Sequence, residues 1–181
     1  LNYAVGESHE PGSTFKLMAM VRALEDKVID TSDVIDTKNG ILSFYGRKVR
    51  DSKKGGYGKI SAARAFEVSS NTALVQIIND NYQDKPEKFV EGLFDMKINT
   101  PLGLPILGEG VPKFTHPNDK VNWDGLDLPW MAFGYGISLT PLQTLTFYNA
   151  IADNGVMVKP RFIKEVKQFD QVVEKFDTEI I

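Results

Sequence analysis

The run from 99 to 130 constrains the fold more than any other part of the chain. It carries Pro101, Gly103, Pro105, Gly108, Gly110, Pro112, Pro117 and Pro129. Proline fixes φ and withholds a backbone donor, and glycine weakens helices and strands alike. No regular element is expected there, and a connection this long is expected to serve function or to move. The regular structure must therefore lie on either side, in 1–98 and 131–181.

The first side reads as mostly helical. Residues 1–12 are irregular, with Pro11-Gly12 as a turn, and TFKLMAMVRALEDKVI then spaces Phe15, Met18, Ala19, Val21 and Ile29 at helical intervals. This predicts a helix over about 13–29, starting at Ser13 or Thr14. ILSFYGRKVRD predicts a short hairpin around Gly46, and 51–59 a Gly/Lys-rich loop. Ser61 is a candidate N-cap for AARAFEVS, NTALVQIINDNY predicts a helix, and DKPEKFVEGLFDM another. Ser69-Ser70-Asn71 falls between two of these helices, where such residues favour caps and turns. On the far side, Thr140, Pro141 and Gly155 mark the cap, first turn and end of a last helix. RFIKEVKQF and QVVEKF alternate by twos, which predicts a hairpin around Asp170-Gln171.

The 181 residues suffice for one domain with a real core, and no internal repeat divides them. A net charge of −3 argues against a dedicated nucleic-acid binder. The chain has no cysteine, which removes disulfides, thiolate nucleophiles and cysteine-ligated zinc. His9 and His116 each lack a second ligand at metal spacing. GGYGK at 55–59 fails the spacing of a phosphate loop, and Gly134-Tyr135-Gly136 lacks the third glycine of a dinucleotide site. Trp123 and Trp130 read as core residues and Lys53-Lys54 as a solvated loop.

Chemistry concentrates at Ser13-Thr14-Phe15-Lys16. Residues three apart share a helix face, so the Ser13 hydroxyl and the Lys16 amine can meet. A serine becomes a nucleophile when a base takes its proton. For lysine to do this near neutrality its pKa must fall from about 10.4 to about 7.5, roughly 4 kcal/mol of differential destabilisation of the charged form. Burial, a nearby cation and the positive end of a helix all act in that direction. The Ser13 N–H, free at a helix start, points where an oxyanion would form. Asn71 could donate to a substrate carbonyl and accept from Lys16, and Ser69 could relay a proton to a leaving amine. Taken alone, Ser69-Ser70-Asn71 is more simply a helix-junction cap, and Ser-x-x-Lys also arises by chance.

EPGSTFK followed by SSN resembles the penicillin-binding proteins, serine acyltransferases with S-x-x-K, S-x-N and K-T-G motifs. NYAVGESHEPGSTFK, GKISAARAFEVSSNTAL and FGYGISLTPLQTLTFYNAIADNGVMVKP extend the likeness over nearly the whole chain, with 82–130 the least distinctive part. The EPGSTFK and FGYG…TPLQ forms are similar to class B transpeptidases, and most to the septal, cell-division branch. The resemblance implies Ser13 as nucleophile, Lys16 as base, Ser69 as proton relay and Asn71 as the amide that orients substrate and Lys16. It also implies the α+β DD-peptidase/β-lactamase-like fold, of which 1–181 would be the mainly α portion with one or two short β ribbons. Peptidoglycan stem peptides would be substrates, β-lactams would acylate Ser13, and no metal or organic cofactor would be needed. An N-terminal anchor would hold the parent at the extracytoplasmic face of the membrane, among divisome membrane proteins.

The sequence departs from the pattern in having no K-T-G, and Lys38-Asn39-Gly40 and Lys54-Gly55-Gly56 both precede SSN. The expectation is a partial domain, cut before the strand that carries that motif and inactive alone. Ser70 in the middle of S-x-N leans away from a β-lactamase, and neither Glu91 nor Glu109 is marked as a deacylating base. A penicillin sensor, a non-catalytic relative or a helical interaction domain with a coincidental Ser-x-x-Lys are the alternatives. Lys16 in solvent, far from Asn71, would favour the last.

Overall fold

The computed structural model describes residues 2–181. Asn2 caps a short helix α1 (Tyr3–Gly6) through its side-chain oxygen, which accepts from the Ala4 N–H. A 3-10 turn at Gly12–Phe15 runs directly into α2 (Lys16–Glu25). The helix predicted over 13–29 is therefore shorter at its C-terminus. Lys27 adopts φ +55°, and the N–H groups of Lys27 and Val28 turn back onto the Leu24 and Ala23 carbonyls. That left-handed residue closes the helix although no glycine marks the place.

Four two-stranded antiparallel ribbons form among the described residues, where one or two were expected. Strands β1 (Val34–Asp36) and β4 (Lys59–Ser61) pair across the hairpin of β2 (Ile41–Phe44) and β3 (Arg47–Arg50). Tyr45 and Gly46 make the hairpin's two-residue turn with φ of +47° and +78°, the positive values a type I′ turn requires. Strand β4 leads into α3 (Ala62–Glu67), capped by Ser61 as expected. Helix α4 (Asn71–Tyr82) begins at the Ser70 cap, and α5 (Pro86–Asp95) has proline in its first turn.

The 99–130 run is mostly irregular but not wholly so. Strand β5 (Lys113–Phe114) pairs with β6 (Ile137–Ser138), and α6 (Asp127–Met131) contains Pro129. Proline fits there because it lies in the first turn, where its missing N–H has no helical partner in any case. Helix α7 (Pro141–Ala152) carries a full capping box between Thr140 and Gln143. The tail hairpin joins β7 (Glu165–Gln168) to β8 (Gln171–Lys175), turning at Phe169-Asp170, one residue earlier than the sequence indicates.

The core lies where α2, α3, α5 and α6 pack around α4. Helix α2 contributes Met18, Ala19, Met20 and Ala23, and α4 contributes Ala73, Leu74, Val75, Ile77 and Ile78. Trp123 and Trp130 pack against this cluster. Phe15 is fully buried in it and ties the 3-10 turn to the core. Burying a phenylalanine is worth about 1.5–3 kcal/mol, so the turn that presents Ser13 is held from beneath by its own next-but-one neighbour. Among the described residues no helix is long and apolar enough to cross a membrane.

Candidate active site

Lys16 opens α2, and its side chain is only 1 % exposed. Its ammonium donates to the Ser69 carbonyl at 2.7 Å, the Ser69 hydroxyl at 2.9 Å and Asn71 Oδ1 at 2.6 Å. An ammonium has three N–H groups, so all three are matched. Burial pulls the Lys16 pKa down from 10.5 to about 8, and the nearby Asp51 carboxylate partly offsets this. At about 8 roughly a tenth of the amines are neutral at pH 7, against about one in three thousand at the ordinary value.

The three acceptors are not equivalent. A carbonyl and an amide oxygen only accept, whereas the Ser69 hydroxyl can also donate. When Lys16 is neutral, Ser69 is the partner that can turn its proton toward the lone pair. Proton traffic between the amine and this hydroxyl is therefore open, and through the two carbonyl oxygens it is closed.

Ser69 reaches Lys16 with both its oxygens because its backbone is left-handed, at φ +54°. For a residue with a Cβ this conformation costs about 1–2 kcal/mol. It follows α3 directly: the Ser69 and Ser70 N–H groups bond back to the Phe66 and Ala65 carbonyls. Ser70 then caps α4, accepting from the Ala73 N–H at 3.1 Å. The plain cap function expected for the triplet falls on Ser70, which leaves Ser69 and Asn71 free for Lys16.

Asn71 is oriented from its other end. Its amide N–H donates to the Arg50 carbonyl at 2.8 Å; a carbonyl can only accept, so Oδ1 is left facing Lys16. The next residue, Asp51, accepts from Ser70 Oγ and the Thr72 N–H at 3.0 Å each and from Thr72 Oγ1 at 2.8 Å. Residues 50 and 51 thus hold 70, 71 and 72 one by one.

Ser13 is exposed, second in the 3-10 turn, where its N–H precedes the helical bonding pattern. The expected meeting of Ser13 with Lys16 is not formed as a hydrogen bond: among the described residues the ammonium's bonds all go to Ser69 and Asn71. Saturation of its donors explains this, since a fully charged lysine has none left for Ser13. The turn that carries Ser13 is stitched to the region before α7. The Gly12 N–H donates to the Gly134 carbonyl at 3.0 Å, His9 and Leu139 exchange backbone bonds, and the Gly136 N–H donates to the Glu10 carboxylate at 2.9 Å. Tyr148 of α7 donates its hydroxyl to the Thr14 carbonyl at 2.9 Å. Gly134 has φ +89°, and a Cβ there would overlap the Gly12 carbonyl.

Asp51, Gly134 and Tyr148 escaped the sequence reading. Asp51 ends a hairpin some twenty residues before its partners, and no local pattern announces such a contact. The FGYG string did carry a signal, but its purpose becomes visible only when Gly134 lies against Gly12. Glu91 and Glu109 take other roles: Glu109 accepts from the Leu102 and Leu104 N–H groups, and Glu91 lies 3.9 Å from His116.

Comparison with known proteins identifies the family. The family model of the penicillin binding protein transpeptidase domain matches residues 1–180. Stage V sporulation protein D of Bacillus subtilis is 27 % identical over 164 residues, 91 % of this chain and 24 % of that protein. Peptidoglycan D,D-transpeptidase FtsI of Buchnera aphidicola subsp. Baizongia pistaciae is 28 % identical over 156 residues, 86 % of this chain and 25 % of that protein. The chain thus spans about a quarter of the length of these curated relatives. The apo transpeptidase domain of Burkholderia pseudomallei penicillin-binding protein 3 superposes with a TM-score of 0.74 at 23 % identity, covering 87 % of this chain and 45 % of that one. The fold is therefore that of these domains, and the chain belongs to the penicillin-binding protein transpeptidase family.

Proposed function

We propose that this chain is part of a peptidoglycan D,D-transpeptidase of class B, with Ser13 as nucleophile, Lys16 as its base, Ser69 as proton relay and Asn71 as the orienting amide. The observation that carries the reading is the buried Lys16 amine, brought to a pKa of about 8 and held by Ser69 and Asn71 one helical turn from an exposed Ser13. Neutral Lys16 takes the Ser13 proton as Ser13 Oγ attacks the carbonyl between the two terminal D-alanines of a stem peptide. The negative oxygen forms near the Ser13 N–H. The C–N bond then breaks, the Lys16 proton passes through Ser69 to the departing D-alanine amine, and an ester to Ser13 remains. An amine of a second stem peptide attacks that ester, gives up its proton by the reverse route and frees Ser13.

Residues 1–181 serve in this reading as one part of the transpeptidase domain, and the K-T-G motif they lack is supplied by sequence outside them. The whole protein acts at the extracytoplasmic face of the cytoplasmic membrane, in company with cell-division membrane proteins, and β-lactams acylate Ser13 as substrate mimics. Support comes from relatives named as sporulation and D,D-transpeptidase proteins. The test is labelling of the full-length protein with a fluorescent penicillin. Wild type takes up one label per molecule and Ser13→Ala takes up none; label retained in a folded Ser13→Ala protein overturns the assignment.

A further inference from the structure

The acyl-transfer triplet does not hold itself in place. Apart from the bonds to Lys16 and those to its own flanking helices, its side chains donate to Arg50 and Asp51 at the end of β3. The Arg50 carbonyl fixes the Asn71 amide, and the Asp51 carboxylate takes Ser70, the Thr72 N–H and the Thr72 hydroxyl. Ser70 and Thr72 are fully buried, so water cannot readily replace what Asp51 supplies to them. The carboxylate also stands at the first turn of α4, where a negative charge is favoured by the helix dipole.

We propose that Asp51 is a positioning residue for acyl transfer: it locks Ser70 and Thr72 on either side of Asn71 so that Asn71 presents its oxygen to Lys16, and its charge raises the pH above which Lys16 acts as a base. The inference rests on Lys16 being the base, and extends that reading to a residue outside the three motifs.

The charges near Lys16 leave this role to Asp51. Within and against α2, Arg22 pairs with Asp26, Lys88 of α5 also reaches Asp26, and Arg64 of α3 pairs with Glu67. Asp51 is the charged group whose field acts on Lys16, and it favours the ammonium. It therefore has two opposed effects: it builds the corner that makes Lys16 useful, and it restrains how far the amine is deprotonated.

The two effects separate in two variants. Asp51→Asn keeps the shape and one of the two acceptor oxygens, with its NH2 able to donate to the Thr72 hydroxyl, while removing the charge. Asp51→Ala removes both. The acylation rate of the full-length protein by a fluorescent penicillin is measured from pH 5.5 to 9.5 for each, with thermal melting as a check on folding. In Asp51→Asn the acidic limb of the profile moves to lower pH by about 0.5 unit or more, because the amine loses a stabilising anion. In Asp51→Ala the plateau rate falls at least ~10-fold, because Ser70 and Thr72, which flank Asn71, are no longer held. A limb in Asp51→Asn that stays at its wild-type pH overturns the proposal, as does an Asp51→Ala protein with a wild-type plateau. If wild type itself is not acylated, the transpeptidase reading fails. The Lys16 titration, followed by NMR of 13Cε-labelled lysine in wild type and Asp51→Asn, then decides the Asp51 question alone: a lower Lys16 pKa in the variant supports it and an equal one refutes it.

Discussion

Replacing Lys16 by methionine separates what the amine does for chemistry from what it costs the fold. Methionine keeps the length and bulk of the side chain and removes the charge. In the folded protein the Lys16 pKa is about 8 instead of 10.5. A base with a depressed folded pKa opposes folding fully below the folded value, where both states are charged. The opposition fades as pH rises through the window from 8 to 10.5, where the unfolded state alone still holds its proton. The shift of about 2.5 units corresponds to at most ~3.4 kcal/mol. Exposed Ser69 borders the site and admits water, so about half of that, some 1.5–2 kcal/mol, is the expected figure after screening. The sign at pH 7 is less telling than the slope, because methionine also leaves the Ser69 and Asn71 oxygens without their donor. Urea unfolding of wild type and Lys16→Met, followed by tryptophan fluorescence at pH 7, 8, 9 and 10, gives the difference between the two stabilities. Wild type should gain about 1.5–2 kcal/mol relative to the variant across that range. A difference independent of pH would falsify the idea that burial holds Lys16 near 8. It would also remove the physical basis for using Lys16 as a base.

Two further substitutions probe the backbone. Gly134→Ala and Gly155→Ala both place a Cβ at φ +89°, but the new methyl group overlaps the Gly12 carbonyl in the first and meets open space in the second. Gly134→Ala should therefore lose about 2 kcal/mol more stability than Gly155→Ala and slow acylation of Ser13; equal losses in urea unfolding would show that the contact with the turn that carries Ser13 is unimportant. Ser69→Gly relieves the left-handed residue and should leave stability unchanged or raised by about 1 kcal/mol, while penicillin acylation slows by at least ~10²-fold for want of a relay. A stable Ser69→Gly protein that acylates at the wild-type rate would remove Ser69 from the mechanism.

Those elements that depend on neighbours in sequence were legible from sequence. The caps at Ser61 and Thr140, a cap within Ser69-Ser70-Asn71, the turn around Gly46 and the helices of 62–95 follow from local rules, because the side chain that satisfies each cap is within three residues of it. The C-terminus of α2 was not legible, since Lys27 takes the conformation usually given to glycine. The β1–β4 ribbon was missed for a different reason: its strands are three residues each and their partners are some 25 residues apart, so neither alternation nor a turn signal reports the pairing. The same distance effect hid Asp51. For the site itself, residue types and spacing brought Lys16, Ser69 and Asn71 together on paper, and the structure joins them within 3 Å. They did not reveal that the charged amine would spend every donor on 69 and 71.

That last point bears on how the site can work. A lysine with three matched donors is comfortable as an ammonium, and comfort of that kind opposes deprotonation. Here two of the three acceptors are carbonyl-type oxygens that stay matched when one proton leaves, and the third is a hydroxyl that can reverse its polarity. Loss of the proton therefore leaves no buried orphan: the neutral amine donates twice and can accept once from Ser69. Its lone pair can face the Ser69 hydroxyl. The left-handed backbone of Ser69, the buried charge of Lys16 and the close crossing of Gly12 with Gly134 each break a local rule of stability. Their gathering around Ser13 and Lys16 is what the proposed acyl-transfer site requires of a fold that gives up stability for chemistry.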